Sequence, residues 1–228
     1  MNRETMLLYL AGVSNKYLTM NVLCHGVVYA AIILYFGFQS RGQKVIAGVI
    51  RLISIIFLLS SVTIIAIKNG NPFHVITFAV TTILLLVLGV KGLRKREGSY
   101  FHTGGRLSML LKISSAILLF IGIFYPEFTE VSLPQFLIYA PVGIVPCPTL
   151  LTTLGLINLT ADHNDRSILV VLAVMSGIYG IVGVFVFHVY LDIALLILAA
   201  MTVVNIFALN NKKPFATDTL LFPAKSQG

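Results

Sequence analysis

The chain alternates long apolar runs with short polar interruptions. Seven runs stand out: Asn21–Phe38, Val45–Ile67, Phe73–Val90, Leu107–Tyr125, Gln135–Thr160, Ser167–Phe187 and Leu191–Leu209. Each is close to the roughly 20 residues with which a helix crosses about 30 Å of hydrocarbon. They predict an all-α fold, a polytopic membrane helix bundle of about seven transmembrane helices. The sixth and seventh runs are nearly continuous, and His188-Val189-Tyr190-Leu191-Asp192 is the polar cluster at which the chain is expected to turn. The fifth run carries Pro141, Pro146 and Pro148. Proline lacks an N–H and its ring clashes with the preceding turn, so the fifth helix is predicted to break at Pro146–Pro148. In lipid such a break is tolerated only where protein or water satisfies the freed backbone groups. Near the N-terminus, Met6, Leu7, Leu10 and Val13 line one face of a short segment within residues 1–18. That segment fits a helix lying on the membrane rather than spanning it.

Composition agrees with this pattern. Of 228 residues, 57% are hydrophobic and 11% charged, where soluble domains carry about 25% charged residues. No stretch is polar enough for a separate soluble domain, so residues 1–228 form one integral membrane domain, with 211–228 as a cytoplasmic tail. The formal charge of +8 lies in short loops and at the termini. One group is Arg41 and Lys44, a second is Lys91, Arg94, Lys95, Arg96 and Arg106, and a third is Lys212, Lys213 and Lys225. Seven spans put all three groups on one side, with Arg3, Lys16, Lys68 and the acidic Glu127 and Glu130 on the other. Basic loops mark the cytoplasmic side, giving N-terminus out and C-terminus in. The charge is therefore a topology signal and implies no nucleic acid; the expected partners are the lipid bilayer and, from the site below, a small ion or solute.

Two cysteines, Cys24 and Cys147, lie in apolar context, which excludes a disulfide-rich fold and classical zinc spacings. Pro148 suits the first position of a new helix, where its missing N–H costs nothing. Cys147 is then the N-cap, and Thr149 follows in the first turn. Unpaired N–H groups and the helix dipole at that point favour a thiolate or another anion. The plainer alternative is a structural kink with an inert buried thiol. Counting roughly 1.5 Å per residue from the cytoplasmic helix ends places Cys24, His25, His74, Cys147 and Asp192 at similar depth in the outer third, with His188 at the outer rim. Ionisable groups at membrane depth are functional candidates by default.

The expected site is therefore an outward-facing pocket of Cys147, Pro146, Pro148, Thr149, Cys24, His25, His74, His188 and Asp192. Cys147, Cys24 and His25 are the candidate metal ligands, since thiolate and imidazole suit a soft or borderline ion. Taken singly, His74, His188 and Asp192 read more readily as interfacial loop residues. A Cys24–Cys147 disulfide is a third option, if the two come within reach.

Other polar residues have structural readings. Arg51 and Lys112 are expected to snorkel toward the cytoplasmic surface. Asn158 and Asn205 are expected to hydrogen-bond between helices, and Gly177, Gly180 and Gly183 to mark close helix packing. Asp162, His163, Asn164 and Asp165 read as a solvated connector. There is no Cys-x-x-Cys, no His-Glu-x-x-His, no Gly-x-Ser-x-Gly and no phosphate-binding glycine loop.

The stretch Ala140-Pro141-Val142-Gly143-Ile144-Val145-Pro146-Cys147-Pro148-Thr149, followed by Leu154-Gly155-Leu156, resembles an uncharacterised bacterial family of multi-span membrane proteins with a Pro-Cys-Pro-Thr signature. Asn71-Pro72 and Tyr125-Pro126 are similar to that family too. The resemblance covers most of the chain, to about residue 210, and implies a bacterial inner membrane without an assigned reaction. The leading expectation for function is a transporter or binding protein for a small ion or solute centred on Cys147. A membrane-embedded thiol-redox protein or enzyme, and a structural subunit of a membrane complex, are the alternatives.

Overall fold

In the computed structural model the structure describes residues 3–37, 44–94, 106–125, 140–160 and 165–210. They form eight α-helices: α1 Arg3–Lys16, α2 Leu18–Gly37, α3 Lys44–Lys68, α4 Pro72–Arg94, α5 Arg106–Phe124, α6 Pro146–Thr160, α7 Arg166–Ile181 and α8 Ile193–Asn210. No strand occurs among the described residues. Most of the charges on which the orientation argument rests (Arg41, Lys95, Arg96, Glu127, Glu130, Lys212, Lys213 and Lys225) lie outside the described residues, as do residues 135–139 and 161–164.

Among the described residues, five helices are long and apolar enough to cross a membrane: α2, α3, α4, α7 with its extension to Val186, and α8 with the turn before it. These five bear out a helical membrane bundle, one coarser than the expected set of seven spans. The apolar part of α5, Met109–Phe124, is shorter. The helix α6 has only 15 residues, about 22 Å at 1.5 Å per residue. Exposed and buried positions are distributed as in a helical membrane bundle. Ile33, Ile53, Ile76, Ile83, Phe120, Phe185 and Phe207 are exposed, whereas Asn21, His25, Arg51, Asp165, Asp192 and Thr202 are buried.

Local sequence explains the helix ends. Gly70 adopts φ +65° and closes α3, with Gly70 N–H donating to Ile67 O at 3.1 Å and Asn71 N–H to Ala66 O at 3.0 Å. This glycine-centred pair of bonds satisfies carbonyls that the helix end leaves open. Asn71 then caps α4 by accepting the His74 N–H at 3.2 Å, and Pro72 occupies the first helical position, where no N–H is needed. The predicted turn between the sixth and seventh runs is present. A π-helical turn Val182–Val186 extends α7, His188 sits at φ +55°, and a 3₁₀ turn Tyr190–Asp192 leads into α8.

At the centre is α6, of which 13 of 15 residues are buried, so neighbours enclose it on all sides. It packs most extensively on α5, and also on α7, α8 and α3. Close approach to α5 uses one glycine from each side: a Cβ on Gly122 would lie 2.9 Å from the Thr152 nitrogen, and one on Gly155 would lie 3.0 Å from the Leu119 Cα. Thr153 and Thr160 return their hydroxyls to their own helix, to Thr149 O at 2.8 Å and to Leu156 O at 2.7 Å, which offsets the penalty of burying them. Asn158 donates to Thr202 Oγ1 at 2.7 Å and accepts from Asn205 at 3.1 Å. These bonds tie α6 to α8, as expected for the two asparagines. Gly180 packs against Leu196, and Gly183 against Asp192, while Gly177 faces open space.

The opposite end of the bundle corrects two expectations. Arg51 does not snorkel. It is buried, with Nη2 donating to Asp165 Oδ1 at 2.7 Å and Nη1 to Thr160 O and Oγ1, both at 3.0 Å. Asp165 is not a solvated connector residue: it is buried immediately before α7. Tyr35 OH also donates to Thr160 O, at 3.3 Å. One guanidinium thus serves the open carbonyl end of α6, where a cation is favoured, and the acid at the start of α7, where an anion is favoured.

Candidate functional site

The helix α6 begins at Pro146, not at Pro148. Pro146 and Pro148 are its first and third residues, and the first four N–H groups of a helix lack internal partners, so both prolines fit one regular first turn. Cys147 is accordingly the second helical residue and not the N-cap. Val145 accepts the first bond, from Thr149 N–H at 3.4 Å. Thr149 Oγ1 donates to the same carbonyl at 2.7 Å and accepts the Gly143 N–H at 2.7 Å. That hydroxyl binds the preceding turn, Pro141–Val145, to the helix. The turn needs Gly143 at φ +76°, a conformation that costs other residues energy.

Beside this helix start lies a cavity of about 390 Å³. It is framed by the ends of α3, α5 and α7, the starts of α4 and α6, and the loop before α8. Its walls are mainly apolar, from Val62, Ile65, Ile144, Val145, Val182 and Val189. Polar groups converge on it from separate elements: Cys147 from α6, His74 from α4, Tyr179 from α7, Tyr125 after α5, and Asp192 before α8.

These groups are held by each other. His74 Nδ1 lies 2.9 Å from Tyr179 OH, which is also 2.8 Å from Thr77 Oγ1. Phe78 packs edge-on against the Tyr179 ring with centroids 5.4 Å apart. Tyr125 OH donates to Asp192 Oδ1. Tyr125 leaves α5 at φ +25°, a backbone state side chains seldom adopt. Asp192 has its place because residue 183 is glycine: a Cβ there would lie 1.7 Å from Asp192 Oδ2.

The nine expected site residues separate by position. Cys147, Pro146, His74 and Asp192 line the cavity. Pro148 and Thr149 are buried supports of the helix start. His188 is exposed and lies outside the cavity lining, on the turn before Val189. Cys24 and His25 share the layer but face elsewhere. The Cys24 sulfur packs on the Gly143 turn. His25 Nδ1 lies 3.0 Å from Asn21 O, and Nε2 lies 3.3 Å from Ile123 O. It thereby reaches a carbonyl at the open C-terminal end of α5.

The proposed metal set is not assembled. Among the described residues no three of His, Cys, Asp and Glu come close enough to hold an ion. No disulfide joins Cys24 to Cys147. Tyr125 and Tyr179, which organise the site, carry no signal of chemistry in sequence: each is a hydroxyl inside or at the end of an apolar run, and Tyr125 was marked only by its place before Pro126. No protein-family model matches the chain, and comparison with curated proteins and with solved structures finds no match.

Proposed function

We propose that the protein is a multi-span protein of a bacterial inner membrane that receives a small amphipathic solute in this cavity, as a transporter or binding protein. The observation that carries the reading is the cavity itself. Its volume of about 390 Å³ falls within the roughly 300–1,000 Å³ of small-molecule sites, which are mostly apolar with a few placed polar groups. The proposed topology adds α5 and α6 to the five long helices, giving seven crossings with the N-terminus outside. Lys91 and Arg94, at the far end of α4 from His74, support an extracytoplasmic cavity. Being about 22 Å long, α6 falls short of a full crossing of about 30 Å, and the cavity occupies the depth it leaves open.

Cys147 reports on this arrangement. It is half-buried and lines the cavity, whereas Cys24 is fully buried. A membrane-impermeant maleimide added outside intact cells is expected to modify the wild-type protein once, and Cys147→Ser not at all. Benzyl alcohol, a small neutral occupant, is expected to slow the reaction. An unlabelled wild-type protein, or one whose labelling persists unchanged in Cys147→Ser, would overturn the open cavity. Labelling from the cytoplasmic side alone would overturn the orientation.

A further inference from the structure

The cavity is asymmetric in charge. Among the described residues that line it, Asp192 is the acid, and no lysine or arginine takes part. The nearby basic side chains Lys16 and Lys68 are engaged elsewhere, with Nζ atoms 5.4 Å and 5.8 Å from the centroid of the Tyr17 ring. Aromatic rings accompany the acid: Phe73, Tyr125, Tyr179 and Phe187 all line the same space. A carboxylate with aromatic rings around an otherwise apolar chamber is the donor set that recognises an organic cation, by charge and by attraction to ring faces.

The geometry points to a small lipophilic amine in its protonated, monovalent form as the class of solute this cavity takes. Its ammonium would lie against Asp192 and its apolar body against Phe73, Phe187 and the valines. This rests on the cavity reading above and adds the ligand class to it. The sequence supports a carboxylate with a dedicated position. Gly183 leaves the space into which Asp192 projects. Tyr125 fixes one oxygen by donating to it. The first turn of α8 starts directly after Asp192, and a helix N-terminus stabilises negative charge. A divalent metal is not the match, because no second acid or ligand cluster joins Asp192 among the described residues. An anion is not the match either, because the lining offers no cationic side chain that is always charged.

The test uses the purified full chain in detergent and three probes of matched shape: phenethylamine, which is cationic at neutral pH, neutral 2-phenylethanol, and anionic phenylacetate. Titration calorimetry is expected to show the amine binding at least about tenfold more tightly than the alcohol, the gain of a cation held by charge and ring faces at a desolvated site. Phenylacetate is expected to bind most weakly. In Asp192→Asn, which keeps the shape of the side chain, the amine and the alcohol are expected to bind alike. Tyr125→Phe keeps the carboxylate and is expected to keep the preference. Equal affinity for amine and alcohol in the wild type would overturn the cation assignment while leaving the cavity reading in place, and needs no variant to fold. A preference that persists in Asp192→Asn would overturn it as well. Binding of none of the three probes, with none slowing the labelling of Cys147, would overturn both.

Discussion

Asp165→Ala is expected to lower stability by about 3–5 kcal/mol, the cost typical of removing one partner from a buried ion pair. The loss comes from what remains. Arg51 is 109 residues away in sequence from Thr160 and 114 from Asp165, yet its buried guanidinium joins the end of α6 to the start of α7. Without the carboxylate, the buried guanidinium keeps its bonds to Thr160 but loses the counter-charge of Asp165. Replacing both partners, as Arg51→Met with Asp165→Leu, removes the stranded charge and is expected to recover most of the loss, since apolar substitution of a whole buried pair is often neutral. A residual loss of about 1 kcal/mol is expected from the bonds to Thr160 that Arg51 no longer makes. Unfolding of the detergent-solubilised protein by heat or denaturant measures all three proteins. If Asp165→Ala cost less than about 1 kcal/mol, or if the double replacement were worse than the single one, the pair would not be the clasp of this end.

The same residues show what a sequence can and cannot disclose. Helices α3, α4, α7 and α8 were legible because apolar length is a local property, and so was the turn at His188–Asp192, the polar interruption of a continuous run. A shared level along the bundle was legible too, because a helix rises by a fixed amount per residue. That arithmetic selected His74, Cys147 and Asp192, which meet around the cavity. It also selected Cys24 and His25, which do not. Depth fixes one coordinate, and azimuth is decided by packing, which turns these two toward the Gly143 turn and the end of α5.

The fifth run does break, at the turn Pro141–Val145, but the new helix starts at Pro146 rather than Pro148. A first turn has enough unused N–H positions for both prolines. Arg51 was misjudged because its partner is remote in the chain and invisible to any local pattern. Tyr125 and Tyr179 were passed over for a related reason: a tyrosine in an apolar run gains meaning only from what its hydroxyl reaches, here Asp192 and the pair His74 and Thr77.

Gly143→Ala is the second substitution with a large expected effect, about 2–5 kcal/mol, and it acts directly on the support of the site. Two costs combine. The backbone at φ +76° penalises any Cβ by about 1–2 kcal/mol. The added methyl would also lie 2.2 Å from the Cys24 sulfur and 2.9 Å from its Cβ, and overpacking of this kind costs about 1–3 kcal/mol. The two costs separate experimentally. Cys24→Ala removes the sulfur and relieves the worse of the two overlaps, so the double variant is expected to be more stable than the sum of the single losses predicts. What persists in the double variant is chiefly the backbone cost. A positive coupling of about 1 kcal/mol or more is expected, in the range measured for residues in contact. Additive losses would mean that Gly143 and Cys24 do not touch as described. The functional consequence follows from the bond between Gly143 N–H and Thr149: when the turn shifts, the start of α6 shifts with it. Labelling of Cys147 is therefore expected to change rate in Gly143→Ala and to return toward the wild-type rate in the double variant. A thiol that reacts identically in all four proteins would show that the turn does not position the cavity wall.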